Sequence, residues 1–254
     1  MILTDFTMLG KTAPERPRNP EDKRRFVCSA GVDPSFGLVR IYPLSTTDAP
    51  ARWSRNEIRV TRNPKDNRHE SFQIDGDRDP DNHDAINRMF RTVGTSKAAE
   101  LRTVIERNTV TSITKLNVDR KSLAFVPVPA NTATLEWRED QRHPDHPQIA
   151  LDVDVPGEDA VGEKDERSAF TPVLRFQLED GLHNLTIRDW GAYEFMRHGN
   201  DRDGLYQALN LHRDRLLLIG NHNRHRNAWL VISVLAPVEG IAGMAPDQLS
   251  LVAA

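Results

Sequence analysis

Cys28-Ser-Ala-Gly-Val-Asp-Pro-Ser-Phe-Gly-Leu-Val-Arg-Ile-Tyr-Pro-Leu44 is the stretch that decides the fold. Phe26, Val27 and Cys28 before it suit a strand. Asp33-Pro34-Ser35-Phe36-Gly37 is turn chemistry, because Pro presets its φ, Asp bonds its own backbone and Gly tolerates a positive φ. Leu38 to Tyr42 then alternates, with Leu38, Arg40 and Tyr42 on one face and Val39 and Ile41 on the other. Pro43 lacks a donor and is expected to end the ladder. The stretch reads as a β-hairpin, flanked by a first strand from Ile2 to Met8 and a later one over Asn56–Thr61.

Working outward, residues 11–25 are rich in Pro, Lys and Arg and read as an extended loop, since Pro14, Pro17 and Pro20 oppose helix. Residues 62–84 read as a polar connection, basic and then acidic. Ile86, Met89, Phe90 and Val93 sit at helical spacing. Gly94 breaks that run, and Ser96 is placed to cap a second helix carrying Leu101, Val104 and Ile105. Strand character is expected from Leu116 to Pro129 and over Thr132–Trp137. Residues 152–166 hold seven carboxylates and one lysine, a local charge of −6, in the Pro-containing stretch 139–167. Such a run reads as a solvated linker. It divides the chain into an N-terminal domain over 1–138 with a helical insertion and a C-terminal domain over 168–254. There, Val173–Leu178 is a strand. A short helix starts near Asp189 and carries Trp190, Tyr193 and Phe195; Leu205, Leu209 and Leu211 continue helical character. Leu216–Ile219 and Trp229–Leu235 are strong strands.

The expected fold class is a β-dominated α+β protein in two halves, with inserted helices. The 254 residues allow one large domain or two small ones. The single cysteine, Cys28, excludes an internal disulfide and a cysteine-based zinc site and fits a reducing cytoplasm. The N-terminus lacks the basic and apolar regions of a signal peptide, and no apolar run is long enough to span a membrane. Net charge is −3, so any anionic partner must be met by a local patch.

Two motifs carry a resemblance. The first is Cys28-x-Ala30-Gly31, Gly37-x-Val39-Arg40-Ile41-Tyr42-Pro43-Leu44 and Arg62-Asn63-Pro64-Lys65-Asp66-x-Arg68-x-Glu70-Ser71. The second is Leu182-His183-x-Leu185-x-Ile187-x-Asp189-Trp190-x-x-Tyr193-Glu194, with Ile219-Gly220-Asn221 and Trp229-Leu230-Val231-Ile232. Together they resemble bacterial dual OB-fold domain proteins over nearly the whole chain. The resemblance implies a β-dominated α+β fold of two OB-like barrels with inserted helices and a leaning toward nucleic acid, and the type of family suggests a mobile-element or anti-phage defence setting. It implies no reaction. The segment Leu178–His183 carries no cysteine, so no metal site comes with it.

Single-strand binding needs cations for phosphates and aromatic faces for bases. The first half offers Arg40, Tyr42, Arg62, Lys65 and Arg68. From Arg52 to Arg68 six basic residues oppose two acids, a local +4. The alternative is that Tyr42 and Trp53 are core and the arginines a solvated edge. The second half offers Arg213, and then Asn221, His222, Arg224 and Arg226 on a turn between apolar strands. Arg68 with Glu70 is a candidate structural ion pair, and Asp189 before Trp190 a candidate helix cap. His143 with His146, and His222 with His225, lack the rigid helical spacing of metal ligands. The leading reading is a non-enzymatic binder of single-stranded or structured nucleic acid, with no cofactor and no membrane. Two others stay open: a protein-interaction subunit using the strand Trp229–Leu235 or the acidic tract, and a metal-dependent nuclease using Asp152, Asp154, Glu158 and Glu163.

Overall fold

The structure is a computed structural model and describes residues 1–14, 26–45, 49–64, 66–75, 90–139, 170–198, 202–223 and 225–238. Among these it is β-dominated, with twelve strands and four short α-helices, and it divides into two units after Val104.

In the first unit, strands β1 (Ile2–Lys11), β2 (Phe26–Asp33), β3 (Gly37–Ser45), β4 (Ser54–Arg62) and β5 (Ser71–Ile74) pair in the order β1-β2-β3-β5-β4, and β4 returns to β1. That return closes a five-stranded barrel. β3 and β5 run parallel; the other ladders are antiparallel. The β2–β3 turn forms as its residues require: Asp33 Oδ1 accepts from Ser35 N at 2.9 Å, and Gly37 takes φ +75°. Pro43 does not end β3. Leu44 pairs with Val27 and Ser45 with Phe26, because a register shift opposite Cys28 admits the proline as a bulge does. Phe6, Ile41 and Phe72 fill the barrel, and each such buried side chain contributes about 1.5–3 kcal/mol.

Phe90 and Val93 lie on a strand, β6 (Phe90–Thr95), rather than on the expected helix. β6 pairs with β4, where Arg91 Nη2 donates to Glu57 at 2.7 Å and Thr92 Oγ1 to Asn56 Oδ1 at 2.9 Å. Cross-strand partners outweigh a short helical spacing. Ser96 does not cap a helix: its Oγ meets Thr7 Oγ1 at 2.9 Å. The next helical stretch is a 3-10 turn, Ala98–Leu101, running into α1 (Arg102–Arg107), with Leu101 and Ile105 buried as expected.

The second unit holds α2 (Ile113–Val118), β7 (Leu123–Val128), β8 (Thr134–Glu139), β9 (Phe170–Leu178), β10 (Gly181–Ile187), α3 (Trp190–Arg197), α4 (Arg202–Ala208), β11 (Arg215–Asn221) and β12 (Trp229–Leu235). The sheet order is β7-β11-β12-β10-β9-β8, with β10 and β12 parallel. If β7 and β8, five residues apart in sequence, are read as one interrupted first strand, the connectivity repeats that of the first barrel. Because β7 pairs with β11 and β8 with β9, residues 105–139 belong to this unit, and the boundary expected at 138 moves to 104. The strand expected from Leu116 is split, since Ser112 Oγ accepts from Lys115 N and starts α2 first. The acidic stretch 140–169 lies outside the described residues.

Candidate nucleic-acid interface

Arg40 and Tyr42 stand on β3, and both are buried. Arg40 is 6% exposed, with Arg68, Glu70 and Asp66 as its charged neighbours and the Cys28 thiol nearby. Burial pushes its guanidinium pKa down, Arg68 adds to that, and Cys28 and the two carboxylates oppose it. Arg68 is 8% exposed. Its Nε donates to Asp66 Oδ1 at 2.8 Å and Oδ2 at 2.9 Å, its Nη2 closes on Oδ2, and Ser71 Oγ donates to Oδ2 at 2.7 Å. Burial alone would raise the Asp66 carboxyl, but these bonds hold it below the usual range. Arg68 thus meets the Asp66 carboxylate, while Glu70, expected as its partner, is buried and meets His69 Nδ1 at 3.1 Å. Arg40, Tyr42 and Arg68 therefore lie inside the barrel wall and not on its exposed surface, and the Arg68 charge already meets Asp66. The local +4 is smaller than its count for the same reason: Arg55 Nε donates to Asp5, fifty residues upstream, at 2.6 Å.

Arg62 stays exposed. Its guanidinium lies 4.4 Å from the centroid of the Phe72 ring. Phe36, which the sequence reading used only as a turn residue, is 46% exposed and meets Phe72 edge-on at 5.9 Å. Lys65 lies outside the described residues.

In the second unit, Asn221 and His222 are buried and build the turn after β11. Asn221 Nδ2 donates to the Arg226 carbonyl at 2.9 Å, Asn221 N to Ser122 O at 3.0 Å and His222 N to Ala228 O at 3.0 Å. The His222 and His225 rings sit 5.4 Å apart. Arg226 is half-exposed, and Arg224 lies outside the described residues. Arg213 is exposed but precedes β11, whereas the turn follows it. At ~3.3 Å per residue the two lie about 25 Å apart, so they do not form one patch.

What the turn does adjoin is an exposed sheet face. β7, β11 and β12 are buried almost throughout, but β8, β9 and β10 alternate. Leu174, Phe176, Leu185 and Ile187 point into the core. Arg138, Arg175, Gln177, Leu182 and Asn184 are exposed. Register aligns Asn184 with Arg175 and Leu182 with Gln177, and Arg175 Nη1 meets Glu136 Oε1 at 3.0 Å. Thr186 pairs with Leu230 in the parallel ladder. Carried back two residues, that register sets the end of the 222–228 turn beside Asn184. The sequence reading missed this face because it assigned no strand to 181–187; the alternation Leu182-x-Asn184 against Leu185-x-Ile187 was the available signal.

Asp189 caps α3 as expected and does more. Its Oδ1 accepts from Gly191 N at 2.6 Å and Ala192 N at 3.1 Å, while Oδ2 accepts from Val234 N at 3.1 Å. Trp190 packs against Tyr193, with ring centroids 5.5 Å apart and the rings tilted by 44°. β12 lies between β11 and β10, so the strand offered to a protein partner is interior to its sheet. Among the described residues no three His, Cys, Asp or Glu side chains gather as a metal site requires. His143, His146, Asp152, Asp154, Glu158 and Glu163 lie outside them. Among the described residues no helix is long and apolar enough to cross a membrane.

Residues 4–107, which cover most of the first unit, match a domain of unknown function (DUF8758). No curated protein matches the chain.

Proposed function

We propose that this chain binds single-stranded nucleic acid on the exposed β8–β9–β10 face of its second unit, without catalysis. OB-type barrels receive oligonucleotides on the corresponding strands and on the loop joining their last two strands. One observation carries the reading: the turn between β11 and β12 takes the place of that loop, and the parallel β10–β12 register, continued two residues, brings its end toward the exposed Asn184, which faces Arg175 on the next strand. Arg138, Arg175 and Arg226 supply phosphate contacts, and Gln177 and Asn184 supply donors and acceptors for base edges. Glu136, paired with Arg175, lowers the net charge and favours a modest affinity.

Fluorescence anisotropy with a labelled single-stranded oligonucleotide tests this. Binding at low salt that weakens as salt rises supports it, and Arg175→Ala should weaken binding while leaving the thermal midpoint in place. Absence of binding at low salt refutes it. Intact oligonucleotide after incubation with Mg²⁺ separates binding from cleavage.

A further inference from the structure

The corner of the first barrel where the β2–β3 turn meets β5 has an arrangement that its barrel does not need. A phenylalanine at the tip of a turn costs free energy when left in water, yet Phe36 is 46% exposed. The turn is rigid: Asp33 accepts from Ser35 N at 2.9 Å, Phe36 N donates to Asp33 O at 3.2 Å, and Gly37 holds φ +75°. Beneath Phe36 lies Phe72, fully inside, and over the Phe72 ring lies the Arg62 guanidinium at 4.4 Å. Arg55, Arg68 and Arg91 each hold a carboxylate. Arg62 rests on an aromatic face instead, and among the described residues no acid is paired with it. Asp33, the acid within the turn, is buried and directs Oδ1 at the turn's own amide.

We infer that Phe36 and Arg62 form a nucleotide subsite, Phe36 stacking on a base and Arg62 meeting the adjoining phosphate. An exposed ring beside a cation that rests on an aromatic face suits a ligand that is planar at one end and anionic at the other. A preset turn lets the ring stack without first being ordered. The occupant is one nucleotide of a single strand, so the inference rests on the nucleic-acid reading but uses residues of the other unit.

The test uses the full chain and a single-stranded oligonucleotide carrying 5-iodouracil. Irradiation should crosslink a peptide containing Phe36. Phe36→Ala should lower affinity about tenfold, as loss of one stacked base does, and Phe36→Trp should restore it. Arg62→Gln should reduce the salt slope by about one phosphate's share; should the Phe36 variant fail to fold, this variant carries the test. Crosslinks confined to the second unit, with both variants binding like the wild type, overturn the subsite and leave the second-unit face standing. No binding by the wild type at low salt overturns both.

Discussion

Replacing Asp189 tests how the second unit is tied together. The side chain is 3% exposed and accepts three backbone N–H bonds from two elements: Gly191 and Ala192 at the start of α3, and Val234 in β12. Asp189→Ala removes the cap, at about 0.5–2 kcal/mol. It also strands the Val234 N–H in the interior, at about 1–3 kcal/mol. Taken together the two losses come to about 1.5–5 kcal/mol, a large share of the ~5–15 kcal/mol typical of a domain. Asp189→Asn separates them. Its carbonyl oxygen still caps α3, but its amide turns a donor toward the Val234 donor, so only the strand share is lost. Urea denaturation followed by circular dichroism measures both variants, and the Val234 amide should exchange faster in each. An alanine variant within about 0.5 kcal/mol of the wild type, with Val234 still protected, would refute the reasoning.

Three further outcomes follow from local geometry. A Cβ added at Gly31 would stand 2.1 Å from Thr7 O and 2.7 Å from the Phe6 ring, so Gly31→Ala should destabilise the first barrel by about 3 kcal/mol or prevent folding, as a thermal melt would show. Arg68→Ala leaves Asp66 buried without its cation and should cost about 3–5 kcal/mol in urea denaturation, with no loss of oligonucleotide affinity in the fraction that remains folded. Burial alone would raise the Asp180 carboxyl, but bonds from Thr114 N at 2.7 Å and His183 Nε2 at 2.9 Å outweigh it and hold the carboxyl well below its usual range. Its contribution to stability is therefore fully present above the unfolded value near ~3.9 and lost as pH falls toward the folded one; Asp180→Asn should flatten the loss of stability below about pH 4 in acid titration.

Much of the barrel pattern is written locally. Asp33 to Gly37 could only be a turn, and Leu216–Ile219 and Trp229–Leu235 are apolar runs too short for helices. Asp189 before Trp190 announced its cap, although its bond to Val234 depends on a strand 45 positions away. Phe90 and Val93 misled because six residues at an exposed edge take their conformation from β4, which local spacing does not report. The candidate site was harder to read. Counting charges along Arg52–Arg68 omits Asp5, which arrives from β1, and says nothing of the burial of Arg68. Arg213 and Arg226 look clustered in sequence, yet β11 holds them apart. Phe36 gave no signal beyond its turn, because exposure is a property of the fold.

Salt dependence tests the central account most directly. Three phosphate contacts from Arg138, Arg175 and Arg226 on a single strand give a slope of log affinity against log salt of about −2, or roughly a twentyfold loss between 50 and 200 mM. Changing all three to glutamine should lower affinity at 50 mM and bring that slope close to zero, or to about −0.7 if Arg62 makes its own contact. A triple variant that binds with wild-type affinity and slope would contradict the account, because the β8–β9–β10 face would then not be where the strand lies.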